Sequence, residues 1–81
     1  MTVRVLAFAR LRELLGFGAR ELDVAPGTDV ETLWARLASE TGELASLRAS
    51  TRFARNGALV RGDAALADGD EIALMPPVGG G

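Results

Sequence analysis

The stretch TDVETLWARLASETG, residues 28–42, decides the fold. Its apolar side chains recur every three or four residues, which places them along one face of an α-helix. Thr28 and Glu31 match a capping box that predicts the start of this helix, and Gly42 predicts its end. The apolar face consists of Val30, Leu33, Trp34, Leu37 and Ala38. Because a helix with one apolar face must cover it, we expect a second layer against which these side chains pack.

Five segments with the composition of β-strands can supply that second layer. They span residues 2–9, 20–24, 51–55, 58–61 and 71–75. Asn56-Gly57 separates the third segment from the fourth and is typical of a type I′ hairpin turn, in which both central residues have positive φ. Two short stretches, residues 10–15 and 43–49, have helical patterns. The order of these segments predicts a single α+β domain of two layers.

Alternation along the first and last strands separates a buried face from an outer one. Leu6, Phe8 and Arg10 point away from the helix, and so does Met75 in the last strand. An apolar patch of Leu6, Phe8 and Met75 is typical of a protein interface. In the alternative arrangement, Phe8 packs beneath the helical residues 10–15. The residues predicted to face the helix are Val3, Val5, Ala7, Ile72 and Leu74.

The 81 residues carry a formal net charge of −2 and include no lysine, histidine, cysteine or tyrosine. These side chains supply most nucleophiles, general bases and zinc ligands, so neither catalysis by this chain alone nor a metal site is expected. Asp68, Asp70 and Glu71 lack the spacing of a calcium loop and are predicted to form a solvated turn. The chain lacks the block of basic residues that would indicate nucleic-acid binding. It also has no apolar run long enough to span a membrane. We therefore expect a cytoplasmic protein.

The chain ends in PPVGGG, residues 76–81. Two prolines restrict the backbone, and the glycines that follow have no Cβ to clash with the walls of a narrow channel. We predict a globular domain at residues 1–75 and a flexible tail at residues 76–81, with the carboxylate of Gly81 as the reactive group. The alternative is a disordered terminus with no function of its own.

The chain resembles the small subunit of molybdopterin synthase, a ubiquitin-like sulfur carrier of the MoaD/ThiS family. The resemblance rests on VRVLAFARLRELLG at residues 3–16, on the Asn56-Gly57 hairpin and on DGDEIALMPPVGGG at residues 68–81. It implies a β-grasp fold, with a mixed sheet of about five strands and one main helix across one face. Two positions depart from the family's pattern: Met75 replaces an aromatic residue, and Gly79 replaces a small side chain such as alanine or threonine.

The resemblance also implies a function for the tail. In the family, an adenylating enzyme related to ubiquitin activation uses ATP to activate the terminal glycine, and sulfur from a donor protein gives a thiocarboxylate. The tail then enters the large synthase subunit and delivers sulfur to a cyclic pyranopterin, building molybdopterin for the molybdenum cofactor. By this resemblance, Gly81 carries the sulfur covalently, no cofactor is bound, and the chain is a non-catalytic subunit of a heterotetramer.

Contacts with these partner proteins are expected at one end of the domain and along the tail. The expected partner-binding residues are Phe8, Arg12, Met75, Pro76, Pro77, Val78, Gly79 and Gly80. Arg12 has an alternative role in a surface ion pair with a neighbour such as Glu13. Two other functions remain open: a ubiquitin-like modifier joined through Gly81 to lysines of target proteins, and a sulfur carrier for thiamine synthesis or tRNA thiolation.

Overall fold

Five strands form one mixed sheet in the computed structural model, which describes residues 1–76. The strands are β1 (Thr2–Ala7), β2 (Ala19–Asp23), β3 (Arg52–Arg55), β4 (Ala58–Val60) and β5 (Glu71–Met75). They lie in the order β2-β1-β5-β3-β4, so the first and last strands are neighbours in the middle of the sheet. β1 and β5 are parallel, and the other neighbouring pairs are antiparallel. Residues 77–81 of the predicted tail lie outside the described residues.

Two α-helices and a 3₁₀ helix complete the domain. They are α1 (Ala9–Leu15), α2 (Val30–Glu40) and the 3₁₀ helix (Gly42–Ser50). The apolar face of α2 is buried in the same core as the inner face of the sheet. This arrangement confirms the prediction of a two-layer α+β domain with one main helix.

The core between α2 and the sheet is tightly closed. Val5 in β1, Ile72 in β5 and Leu37 in α2 have no exposed surface. Trp34 packs against Phe53 of β3 with ring centroids 5.9 Å apart, which confirms Trp34 as a core residue. Burying an apolar side chain of this size contributes about 1.5–3 kcal/mol, so α2 and the central strands hold each other in place.

The hairpin between β3 and β4 follows the prediction for Asn56-Gly57. Asn56 has φ 49° and Gly57 has φ 87°, as a type I′ turn requires. The two-residue turn sets the register of the hairpin, with Ala54 opposite Leu59. Because Phe53 faces the core, Ala54 and Leu59 lie on the outer face of the sheet.

β1 ends at Ala7 and not, as predicted, at Ala9. Ala9 has φ 49°, a value that residues with a side chain rarely adopt, and it turns the chain directly into α1. Arg10 therefore lies in α1, where its guanidinium is 3.4 Å from the carboxylates of Glu13 and Glu43. The prediction that Arg10 lies on the outer face of the sheet is wrong. The composition of residues 2–9 is typical of a strand and does not indicate the turn at Ala9.

The start of α2 also differs from the prediction. Asp29 is the N-cap, and its Oδ1 accepts a hydrogen bond from the backbone N–H of Thr32 at 2.8 Å. Glu31 does not reach back to the cap, because its carboxylate accepts two hydrogen bonds of 2.7 Å from Arg48 of the 3₁₀ helix. The capping box assigned to Thr28 and Glu31 is therefore wrong. Aspartate caps helices at least as well as threonine and lies one residue nearer the helix.

The end of α2 lies at the predicted place but has a different geometry. Thr41 is the C-cap, so Gly42 occupies the position directly after it. Gly42 is not among the glycines with positive φ, and it begins the 3₁₀ helix at once. The predicted helical segment at residues 43–49 is confirmed as part of this 3₁₀ helix.

The corrected cap gives a direct test by mutation. Asp29→Ala removes the acceptor for the N–H of Thr32 and should lower the melting temperature, measured by circular dichroism. Thr28→Ala is the matched control, because the Thr28 hydroxyl donates only to the carbonyl of Ala25, outside the helix. A larger loss in the Thr28 variant than in the Asp29 variant would restore the capping box.

Candidate protein-docking face

The outer face of the sheet carries one row of apolar residues that crosses all five strands. In the strand register, each member of the row lies directly opposite its neighbour in the next strand. We call this row the apolar strip: Ala19, Leu6, Ala73, Ala54 and Leu59. Ala19 and Leu59 are exposed, Leu6 and Ala73 are half-buried, and Ala54 is buried. An apolar row that is partly exposed on one face of a sheet is typical of a site for another protein.

Leu59 is the most exposed large apolar residue of the strip and was missed by the sequence analysis. It is 66% exposed, on the short edge strand β4. The Asn56-Gly57 turn could have revealed it. A two-residue turn places Leu59 opposite Ala54, and the inward position of Phe53 then directs both residues outward.

Phe8 and Met75 extend the apolar strip at the end of the sheet where β5 ends. Phe8 follows the last residue of β1 and is 46% exposed, so it is not packed beneath α1. Met75 is the last residue of β5, and its side chain is half-buried on the same face as Leu6. The structure thus brings the predicted patch of Leu6, Phe8 and Met75 to one face and one end of the sheet.

The backbone before α1 fixes the position of Phe8. Its carbonyl accepts hydrogen bonds from the N–H groups of Leu11 and Arg12, at 3.1 and 3.3 Å. Leu11 is buried in the core, so α1 cannot easily rotate. The ring of Phe8 is therefore presented from an anchored position and not from a loose loop.

Arg12 lies beside this end of the sheet, over the chain that enters β2. A Cβ atom at Gly18 would be 3.3 Å from Cζ and Nε of Arg12, so the guanidinium packs closely on the Gly18 backbone. Among residues 1–76, no carboxylate lies within ion-pair distance of Arg12, and the alternative pairing with Glu13 is not formed. A role for Arg12 in partner binding remains a prediction.

Pro76 begins the tail against a small apolar groove of about 180 Å³. Leu11 and Leu47 line the groove from α1 and the 3₁₀ helix, and Thr51 lies at its base before β3. The predicted partner-binding residues Pro77, Val78, Gly79 and Gly80, together with Gly81, lie outside the described residues. Their roles remain predictions.

Charged residues border the apolar strip on both sides. On the side away from the tail, Arg4 lies between Glu21 of β2 and Glu71 of β5 in the strand register. On the tail side, Arg52 of β3 lies opposite Met75, and Arg61 follows directly after β4. The face is therefore polarised: one border carries two carboxylates around Arg4, and the other border carries arginines.

A buried carboxylate fixes the start of β5, the strand that leads to the tail. Asp70 accepts hydrogen bonds from the backbone N–H of Ala67 at 2.8 Å and from the side-chain amide of Asn56 at 2.9 Å. These bonds lower the pKa of Asp70 below its ordinary value of 3.8, the Ala67 bond more than the Asn56 bond. Asp68 accepts a hydrogen bond of 2.7 Å from the N–H of Thr2. The acidic turn is thus part of the scaffold, and the prediction that it is merely solvated is wrong for Asp70.

Asp70 should make the stability of the domain sensitive to acid. Because its pKa is lowered in the folded state, its contribution is complete about one pH unit above 3.8 and is lost as the pH falls through the lowered value. The wild-type protein should therefore lose stability between about pH 5 and pH 2 in urea unfolding experiments.

Asp70→Asn should be less stable than the wild type at pH 7 and should lose less stability over that acidic range. Asp63→Asn, which changes an exposed carboxylate, is the control and should follow the wild type. If the free energy of unfolding fell in parallel for the wild type and Asp70→Asn from pH 7 to pH 2, Asp70 would not be the source of the acid sensitivity.

The described residues present a binding surface more readily than a reaction centre. Residues 1–76 contain no cluster of three histidine, cysteine, aspartate or glutamate side chains arranged to hold a metal ion. No helix in this part of the chain has the length and apolar character required to cross a bilayer.

The sheet order, the parallel β1–β5 pair and the single helix α2 across one face define a ubiquitin-like β-grasp domain. A family model describes proteins of this class and matches residues 5–81. The chain belongs to the ThiS family.

The proteins similar to this chain include sulfur carrier subunits of molybdopterin synthase and a small archaeal modifier protein. The molybdopterin synthase sulfur carrier subunit of Escherichia coli (strain K12) is 40% identical over 81 residues, covering 98% of this chain and 99% of that protein. A chain in the complex of subunits 1 and 2 of the molybdopterin-converting factor from Helicobacter pylori 26695 matches with TM-score 0.70 and 27% identity, covering 100% of both chains. The small archaeal modifier protein 1 of H. volcanii matches with TM-score 0.83 and 29% identity, covering 95% of this chain and 98% of that one.

Proposed function

We propose that this chain is the sulfur carrier subunit of a molybdopterin synthase. The observation that carries the proposal is the 40% identity with the Escherichia coli sulfur carrier subunit, which extends over nearly the whole of both chains. The structure supports it with an open apolar face that lies beside the strand leading to PPVGGG. The compartment in which such a carrier acts is the cytoplasm.

The reactive atom in this proposal is the carboxylate carbon of Gly81. The adenylating enzyme joins the carboxylate to AMP from ATP and releases pyrophosphate, since an unactivated carboxylate is a poor electrophile. The terminal sulfur of a persulfide on the donor protein then attacks the acyl carbon and displaces AMP. A second thiol cleaves the S–S bond of the resulting acyl disulfide, which leaves the thiocarboxylate at Gly81 and a disulfide on the donor. In the large subunit, the thiocarboxylate sulfur forms a bond to a cyclic pyranopterin. Water then hydrolyses the bond between this sulfur and the carbonyl carbon of Gly81, so the sulfur stays on the pterin and the carrier returns to the carboxylate form.

This chain contributes binding and delivery to the reaction, and no catalytic side chain. A six-residue tail spans at most about 20 Å, so the body must dock close to the entrance of the partner's active site. Ordering each tail residue costs about 1–2 kcal/mol of backbone entropy, and contacts of the body must offset that cost. Phe8, Leu59 and Met75 are the exposed or half-exposed side chains that can supply these contacts.

The test of the sulfur carrier function is the mass of the intact protein. Incubation with the adenylating enzyme, ATP and a sulfur donor should replace one oxygen of Gly81 by sulfur, and mass spectrometry of the C-terminal peptide should locate the change. A variant with one alanine added after Gly81 is the control and should remain unmodified and fail to support molybdopterin formation. Equal modification of the extended and native chains, without trimming, would refute the proposal.

The docking role of the sheet face predicts a second result. Leu59→Ala should weaken binding to the large synthase subunit by about 10-fold or more, because burying an apolar side chain of this size contributes about 1.5–3 kcal/mol. Phe8→Ala should act in the same direction. Both residues are exposed in the free chain, so thermal stability should change little.

Ser39→Ala is the control for this measurement, because Ser39 is exposed on α2, in the other layer of the domain. Isothermal titration calorimetry with the full-length carrier and the large subunit gives the affinities. If Leu59→Ala and Ser39→Ala bind equally well, the sheet face is not the docking surface.

A second function is favoured by the similarity to the small archaeal modifier protein 1 of H. volcanii. In this alternative, Gly81 is joined by an amide bond to lysines of target proteins. The chain has no lysine of its own, so it cannot form polymers through lysine side chains. Because Arg61 is the last residue after which trypsin can cleave this chain, a remnant of residues 62–81 on target lysines after trypsin digestion would support conjugation. Loss of molybdoenzyme activity on deletion of the gene would separate molybdopterin synthesis from a role restricted to thiamine synthesis or tRNA thiolation.

A further inference from the structure

Two arginines with no carboxylate partner lie side by side at the tail end of the docking face. The β3–β4 register, continued by one residue, places Arg61 opposite Arg52. Both line an open groove of about 360 Å³ together with Leu59. Among residues 1–76, neither guanidinium lies within ion-pair distance of a carboxylate. We call Arg52 and Arg61 the basic border.

The stability of the free domain does not explain why Arg52 and Arg61 lie opposite each other. Like charges opposite each other on neighbouring strands destabilise a sheet, so the basic border works against the stability of the free domain. Arg48, which lines the same groove, shows the contrasting arrangement. Its guanidinium donates two hydrogen bonds of 2.7 Å to Glu31 and stacks over the ring of Phe53, 4.5 Å from the centroid.

Arg48 and Glu31 stabilise each other's charged form. Hydrogen bonding to Arg48 lowers the pKa of Glu31, and the same interaction raises the pKa of Arg48. Gly62 permits the pair, because a Cβ atom there would clash with the Glu31 carboxylate. Of the three arginines in the groove, one is therefore neutralised within the domain and two remain available to a partner.

We propose that the basic border binds carboxylates of the large synthase subunit, beside the site where the tail enters. This inference rests on the proposed function and adds the charge of the surface that receives the carrier. A partner that covers Leu59 and Met75 also covers Arg52, because Arg52 lies directly opposite Met75. Covering an unpaired guanidinium with an apolar or basic surface is unfavourable, whereas a carboxylate accepts two parallel hydrogen bonds from it.

The border on the other side of the apolar strip also favours one orientation of the partner. Glu21 and Glu71 lie on the far side of the apolar strip with Arg4 between them, so carboxylates outnumber guanidinium groups on that side, whereas the basic border carries two guanidinium groups. A partner with the complementary polarity binds in one orientation, and rotation by half a turn places like charges together. The basic border then directs the tail, which continues from β5, toward the partner's entrance.

The proposal predicts a change in association rate. At low ionic strength, Arg52→Glu/Arg61→Glu should associate with the large subunit about 10-fold or more slowly than the wild type, in stopped-flow fluorescence. Added salt should slow the wild type and have little effect on, or accelerate, the double variant. Arg52→Gln/Arg61→Gln should fall between the two, because it removes attraction without adding repulsion.

Arg36→Glu is the matched control, since Arg36 is exposed on α2 and the substitution makes the same kind of charge change in the other layer. It should alter the rate by less than about 2-fold. The single variant Arg61→Glu adds a readout that a structural role would not give. It should raise the melting temperature by pairing with Arg52 across the strands, and it should still bind more slowly.

The outcomes distinguish this inference from the proposed function. If the wild type binds the large subunit and the Arg52/Arg61 variants bind with the same rates and salt dependence as Arg36→Glu, the basic border has no docking role. A loss confined to the adenylating enzyme would also overturn the inference, since the acidic surface would then belong to that enzyme. If the wild type does not bind the large subunit at all, the proposed function fails and this inference fails with it.

Discussion

The parallel pairing of β1 with β5 is the constraint on which the rest of the structure depends. It joins the first and last strands of the chain, with Val5 opposite Ile72 and Ala7 opposite Leu74, all within the core. This pairing fixes which side chains of both strands face α2 and which face outward. Because β1 and β5 share a register, Leu6 and Met75 belong to one surface although they are nearly 70 positions apart.

The two faces of the sheet have different roles. The inner face closes against α2 and supplies stability, and the outer face remains open to other proteins. The charges of the open face are unusually constant, because its basic groups are all arginine and the chain has no histidine, lysine, cysteine or tyrosine side chain. Salt screens exposed charges of this kind, so ionic strength controls how this surface attracts a partner.

Sequence analysis predicted the fold where local patterns and burial agree. The stripe of α2, the alternation of β1 and the Asn56-Gly57 turn each have a strong signal, and the structure follows all three. Errors arose where two residues could fill one role, as with Thr28 and Asp29, or where one backbone angle decided the path, as at Ala9. The basic border was not predicted because it requires knowledge of which strands are neighbours. The prediction that Gly81 is the reactive position rests on the end of the sequence and on family resemblance.

The position of β5 has a mechanical consequence. Pro76 continues from the central strand of five, which is hydrogen-bonded on both sides, to β1 and to β3. A force that pulls the tail along the strand direction loads both ladders in shear, so many bonds must break together instead of opening one after another. Resistance to such a force is set by the unfolding rate. The domain can therefore resist a pulling force on the end of β5 without unfolding.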